Sequence, residues 1–125
     1  MTARVLLIED EPNISEAISF VLSRDGCDVA CLADGVDALA QVRARMPDLV
    51  ILDLMLPGRS GLEILIDLRA DPVTQRLPVL MLTAKGQGRD REAALRAGVN
   101  RFMTKPFSND EMRAAVRELT GRAAP

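Results

Sequence analysis

Residues 48–61 read DLVILDLMLPGRSG. Leu49 to Leu52 are unbroken apolar residues, and Asp53 follows at once. Leu54, Met55 and Leu56 come next, then Pro57-Gly58, which ends the segment. A short apolar run rich in Val and Ile, closed by a turn dipeptide, predicts a buried strand. Aspartate is depleted in strands and costly to bury unpaired. Either the acid sits at the strand end by accident, or the strand exists to hold it. For Asp53 taken alone, accident is the commoner case, so the rest of the chain has to decide.

Similar runs recur at Val5–Ile8, Val29–Leu32, Val79–Leu82 and near Phe102–Met103. Helical patterns lie between them. Ile14, Ala17, Ile18, Val21 and Leu22 follow the i, i+3, i+4, i+7, i+8 rule, and so do Met112, Ala115, Val116 and Leu119. Asp34 is a possible N-cap for GVDALAQVRARM. Ser60 with Glu63, and Ser108 with Glu111, have capping-box spacing. Gly26 and Gly98 fall where C-terminal glycines are expected. Alternating βα units, five of them, predict a doubly wound α/β domain. Its sheet is parallel, with helices on both faces, because each crossover is right-handed. Such sheets bind ligands beyond the carboxyl ends of their strands, where the strand order reverses.

The composition fits one such domain. The chain has 125 residues, 48% of them hydrophobic, with a net charge of −2. The hydrophobic share is ample for a core, and the charge gives no basic excess for nucleic-acid binding. The N-terminal apolar run stops at Glu9-Asp10, which predicts neither a signal peptide nor a membrane span. Cytoplasmic localisation is the default reading. Cys27 and Cys31, if on one strand, lie about 13 Å apart, too far for a disulfide, and are read as two buried thiols. There is no histidine, tryptophan or tyrosine. Chemistry must therefore rest on carboxylates, Lys, Thr, Ser or Cys.

The predicted strand ends carry such groups. Strand one ends in Glu9-Asp10, strand three in Asp53 and strand four in Thr83-Ala84, while strand five leads into Lys105-Pro106. Three carboxylates gathered at one edge repel one another. A divalent cation and one lysine would offset them. Mg²⁺ suits the set: it takes oxygen ligands, keeps several waters and needs only one or two carboxylates. With Lys105 as a point charge and Thr83 as a hydroxyl donor, the constellation suits phosphoryl transfer, with Asp53 as a carboxylate nucleophile.

The chain resembles a response-regulator receiver domain of two-component signalling. The resemblance runs from about Arg4 to Leu119 and rests on VLLIEDEP, LVILDLMLPGRSGLE, PVLMLTA and GVNRFMTKPF in this order. It implies one domain over residues 1–125, with a core of about 4–119 and a short tail at 120–125. It implies a flavodoxin-like (βα)5 fold with strand order 2-1-3-4-5. Asp53 would be the phosphoacceptor. Asp10 and Asp53 would bind Mg²⁺ (or Mn²⁺) directly, with the backbone carbonyl of Met55, and Glu9 would act through a bound water. Lys105 would contact the phosphoryl group, Thr83 and Phe102 would be the switch residues, and the Lys105-Pro106 bond would be cis. The implied partners are a sensor histidine kinase or histidine phosphotransferase, and a downstream protein or effector domain. Direct nucleic-acid binding and membrane binding are not implied. The reaction would be self-modification and autodephosphorylation, not turnover of an external metabolite.

The sequence departs from the family's commonest pattern at Glu9, where Asp is frequent, and at Phe102, where Tyr is frequent. Phe102 has no hydroxyl to hold either rotamer, which predicts looser coupling of phosphorylation to the surface. Asn100-Arg101 replaces a typical Asp pair, against dimerisation through helix four, strand five and helix five, although a phosphorylation-dependent dimer stays open. The segment RDREAALRAG, preceded by Gly86 and Gly88, predicts a weakly held helix with an alanine face of Ala93, Ala94, Leu95 and Ala97. Arg113 and Arg117 read as a solvated face or part of a partner site. TGRAAP reads as a tail, favouring a receiver without an attached effector. One rival is a haloacid-dehalogenase-like phosphatase, but Met55 stands where that family needs a second Asp. Another is a receiver-like module that works without phosphorylation.

Overall fold

The five apolar runs form five parallel strands in a computed structural model that describes residues 2–84 and 88–121. The elements alternate throughout: β1 (Arg4–Ile8), α1 (Pro12–Arg24), β2 (Asp28–Leu32), α2 (Ala38–Arg45), β3 (Leu49–Asp53), α3 (Gly61–Ala70), β4 (Val79–Thr83), α4 (Gly88–Ala97), β5 (Arg101–Thr104) and α5 (Asn109–Thr120). The strand order is β2-β1-β3-β4-β5, as expected, so the order reverses between β1 and β3. β1 pairs with β3 from Val5↔Leu49 to Ile8↔Leu52, and β3 pairs with β4 up to Asp53↔Leu82.

Period-two alternation sorts the strand residues into two cores. Leu7, Leu49, Ile51, Leu80, Leu82 and Met103 face α1 and α5, meeting Ile18, Leu22, Met112 and Val116. Leu6, Ile8, Val50, Leu52, Val79 and Met81 face the other way, against Val42 of α2, Ile64, Leu65 and Leu68 of α3, and Ala94 of α4. All five residues of β3 and all five of β4 are buried. That is why these strands read as continuous apolar runs. Each fully buried aliphatic side chain contributes about 1.5–3 kcal/mol. Among the described residues no helix is long and apolar enough to cross a membrane.

Local signals at the helix ends hold in most places. Pro12 opens α1, and complete capping boxes join Ser60 with Glu63 and Ser108 with Glu111. Gly26 and Gly98 follow α1 and α4 with positive φ. Asp34 is not a helix cap: α2 begins at Ala38 with Asp37 as its N-cap residue. Asp34 Oδ1 instead accepts the Val36 backbone N–H at 3.0 Å, so its side chain closes a turn in the loop. That loop packs against the one after β3. A Cβ on Gly35 would stand 2.4 Å from the carbonyl oxygen of Arg59, so only glycine fits there.

Three other expectations change. Cys27 is buried ahead of β2, but Cys31 is exposed with its Sγ 3.1 Å from Ser19 Oγ, because β2 is an edge strand. In α4 only Ala94 is buried, and Leu95 points to solvent. Gly88 is the first residue of that helix, while Gly86 and tail residues 122–125 lie outside the described residues. Arg117 is not simply solvated: its guanidinium pairs with Asp25 at the C-terminal end of α1, and Arg113 pairs with Asp110.

Candidate functional site

Three side chains converge because they continue one face of the sheet. Glu9 follows Leu7 by two residues, Asp53 follows Ile51, and Lys105 follows Met103, all on the side covered by α1 and α5. β1 and β3 are neighbours, so Glu9 and Asp53 leave the sheet side by side at the point where the strand order reverses. Asp10 stands next to them, exposed, while Glu9 and Asp53 are buried. One carboxylate oxygen from each of Glu9, Asp10 and Asp53 lies within 4.8 Å of the others.

Lys105 reaches into this cluster from the end of β5. Its Nζ donates to Asp53 Oδ2 at 2.8 Å, stands 2.9 Å from Glu9 Oε1 and lies 3.7 Å from Glu11 Oε1. The Lys105–Pro106 bond is cis, as the resemblance implied. Burial works against the charge on Lys105, but the hydrogen bonds and charges of Asp53 and Glu9 outweigh it and raise its pKa. Burial pushes Glu9 up to about 7 from 4.5; Lys105 and the Glu11 N–H pull it back, and Asp53 adds to the rise. One lysine thus compensates the acids only in part.

The backbone fixes Asp53 on its other side. Asp53 Oδ1 accepts the Met55 N–H at 3.2 Å, and Gly61 N–H donates to Leu54 O at 2.9 Å, closing the loop between β3 and α3. A Cβ on Gly61 would stand 2.3 Å from the carbonyl oxygen of Asp53, so glycine is what lets α3 start against the strand end. The sequence showed only a glycine after the Ser60 cap, and its role as a close-approach point needed the tertiary structure. Glu11 was likewise missed: its acid was visible, its proximity to Lys105 was not.

Thr83 lies at the end of β4, on the opposite alternate face from Leu82, and is fully buried. Among the described residues its Oγ1 has no hydrogen-bond partner, whereas Glu9 Oε1 has the Lys105 ammonium beside it at 2.9 Å. A buried polar atom without a partner costs about 1–3 kcal/mol. The unpartnered Thr83 hydroxyl suits a phosphoryl group, and the all-oxygen donor set of the three carboxylates fits a hard divalent cation. Phe102 on β5 is half-buried against the α2–α4 core, and the guanidinium of Arg91 on α4 stands 5.1 Å from its ring centroid. Asn100 and Arg101 are engaged within the chain. Asn100 Oδ1 accepts from Arg69 at 2.9 Å and from the Val79 N–H at 2.8 Å, and Arg101 pairs with Glu118 at 2.7 Å.

A doubly wound domain with an acid cluster, a lysine and a threonine at its switch point defines a phosphoacceptor class of signalling domain rather than a dinucleotide binder. Residues 5–117 match the response regulator receiver domain family, and the chain belongs to that family. It is 39% identical over 125 residues to the phosphate regulon transcriptional regulatory protein PhoB of Rhizobium meliloti (strain 1021), covering 100% of this chain and 55% of that protein. The chain therefore spans about half the length of the curated relatives it matches. A response regulator structure from Chloroflexus aurantiacus J-10-fl superposes with a TM-score of 0.92 at 34% identity, covering 98% of this chain and 100% of that one. The receiver domain of sensor histidine kinase PA1611 from Pseudomonas aeruginosa PAO1, solved with magnesium coordinated in its active-site cleft, gives a TM-score of 0.88 at 30% identity, covering 97% and 99%. The relatives are signalling proteins, and the phosphatase reading is not favoured.

Proposed function

We propose that residues 1–125 form one receiver unit in which Asp53 takes a phosphoryl group from a phosphohistidine of a sensor histidine kinase or histidine phosphotransferase. A carboxylate oxygen of Asp53 attacks phosphorus. The P–N bond breaks, its electron pair returns to the imidazole, and an acyl phosphate forms. Asp10 and Asp53, with the Met55 carbonyl and with Glu9 through water, would hold Mg²⁺ or Mn²⁺. The ion, when bound, neutralises oxygen charge on the transferring group. Lys105 leaves its ion pair with Asp53 to meet a phosphoryl oxygen. Thr83 gives the same group the hydrogen bond that its buried hydroxyl lacks. The observation that carries this reading is the Lys105 ammonium set between Asp53 and Glu9 at 2.8 and 2.9 Å.

Phosphorylation would bias the surface of α4, β5 and α5 toward a downstream protein or effector domain. Names such as transcriptional regulatory protein among the relatives support an output in transcription. With a net charge of −2, the chain itself is not the DNA-binding part. Cys27 and Cys31 form no disulfide with each other, which suits a reducing, cytoplasmic setting. Incubation with acetyl phosphate and Mg²⁺, followed by intact mass, tests the proposal. One hydroxylamine-labile phosphoryl group is expected, lost with EDTA and in Asp53→Asn. Equal labelling of Asp53→Asn overturns it.

A further inference from the structure

We infer that Arg91 is the positioning residue for Phe102, holding the ring in its unphosphorylated place through a cation–π contact. The inference rests on the proposed function, since it assigns a hold on one of its two switch residues. Phenylalanine has no hydroxyl, so no hydrogen bond can fix the ring. What the structure puts beside it is a guanidinium, 5.1 Å from the centroid. Among the described residues Arg91 has no carboxylate partner, and it is exposed, so its charge is not committed elsewhere.

The location gives the contact leverage. The C-terminal end of α4 is anchored: Arg69 Nε donates to Gly98 O at 3.0 Å, and Asn100 N–H, just beyond, donates to Val79 O of β4 at 3.1 Å. Arg91 lies about one turn before Ala94, toward the other end, where α4 has no buried residue. Arg91 therefore ties the first half of α4 to β5 through the ring it covers. Rotation of Phe102 away from this place breaks the tie and frees that half of the helix. The contact opposes the activated arrangement, and its strength at an exposed site corresponds to about a two- to five-fold bias. By reciprocity, removing it strengthens binding at Asp53 by the same factor.

The chain has three phenylalanines and no other aromatic residue, so ¹³C-labelled Phe reports each ring separately by NMR. In Arg91→Met, without any phosphoryl mimic, the Phe102 ring signals shift and the minor χ1 rotamer rises about two- to five-fold. Arg91→Lys, which keeps the cation, restores most of the wild-type balance. With Mg²⁺ and beryllofluoride as the mimic, Kd falls by the same factor in Arg91→Met but not when Phe102→Leu is already present. Unchanged Phe102 signals in Arg91→Met, or an equal change of Kd in the Phe102→Leu background, overturns the inference. Failure of the wild type to bind beryllofluoride, or binding that survives Asp53→Asn, overturns the proposed function instead. The rotamer balance measured without the mimic still decides the role of Arg91.

Discussion

Replacing Glu9 by glutamine raises the stability of the metal-free protein at neutral pH and removes most of its dependence on pH between 5.5 and 7.5, on the order of 2 kcal/mol. The Glu9 side chain has 0% exposure, and its pKa rises from 4.5 to about 7 in the fold. An unfolded Glu9 ionises near 4.5, whereas the folded protein keeps the proton until about 7. The folded state thus binds more protons across that window, and stability falls as pH rises through it. The contribution is complete below the unfolded value and gone above the folded one. At about 1.4 kcal/mol per pH unit the whole interval is worth about 3 kcal/mol, and the part above pH 5.5 about 2. The raised pKa of Lys105 acts in the same direction, but only at alkaline pH, where its contribution is lost as pH climbs past the folded value. Urea unfolding in EDTA reads the effect. With a slope of about 2 kcal/mol per molar, the wild-type midpoint should drop by about 1 M from pH 5.5 to 7.5, while Glu9→Gln stays nearly flat. Parallel pH profiles for the two proteins would refute the reasoning, because the uncompensated carboxylate would then not be Glu9. Added Mg²⁺ at a hundred times its Kd should restore about 2.7 kcal/mol to the wild type at pH 7.5.

Gly61→Ala should lower stability by about 1–3 kcal/mol in the same urea assay, because its methyl group meets the Asp53 carbonyl at 2.3 Å. Slower labelling by acetyl phosphate should accompany it, and an unchanged midpoint would show that the loop yields freely. Lys105→Ala should keep Mg²⁺ binding by calorimetry, since the carboxylates remain, but lose the chemical-shift response of Thr83 and Phe102 to beryllofluoride. Loss of Mg²⁺ binding would contradict the assignment of Lys105 to the phosphoryl group. Ser108→Ala should cost about 0.5–2 kcal/mol by removing the cap on the Glu111 N–H, with phosphorylation rates unchanged.

Much of this was legible where the signal is local. The apolar runs, the period of α1 and α5, and the two capping boxes each depend on residues within a turn or a strand of one another. The grouping of the candidate site residues was legible for a related reason. In a parallel sheet every strand ends at the same edge, so Glu9, Asp10, Asp53, Thr83 and Lys105 could be placed together once the alternation was read. Asp34 failed as a cap because an Asx turn and an N-cap draw on the same side-chain chemistry, and only the path of the loop chose between them. Cys31 failed because β2 is an edge strand, so one face of its alternation meets solvent.

The five βα units, and which residues stand at the strand ends, follow from local pattern along the chain, because backbone periodicity and turn chemistry act over a few residues. It took the folded molecule to show that Lys105 bridges Asp53 and Glu9, that Gly61 packs on the Asp53 backbone, that Arg117 reaches Asp25, and that Arg91 covers Phe102. Each of these joins elements distant in sequence or hangs on a gap of less than an ångström. Such contacts are set by how helices seat on the sheet, which no local pattern encodes.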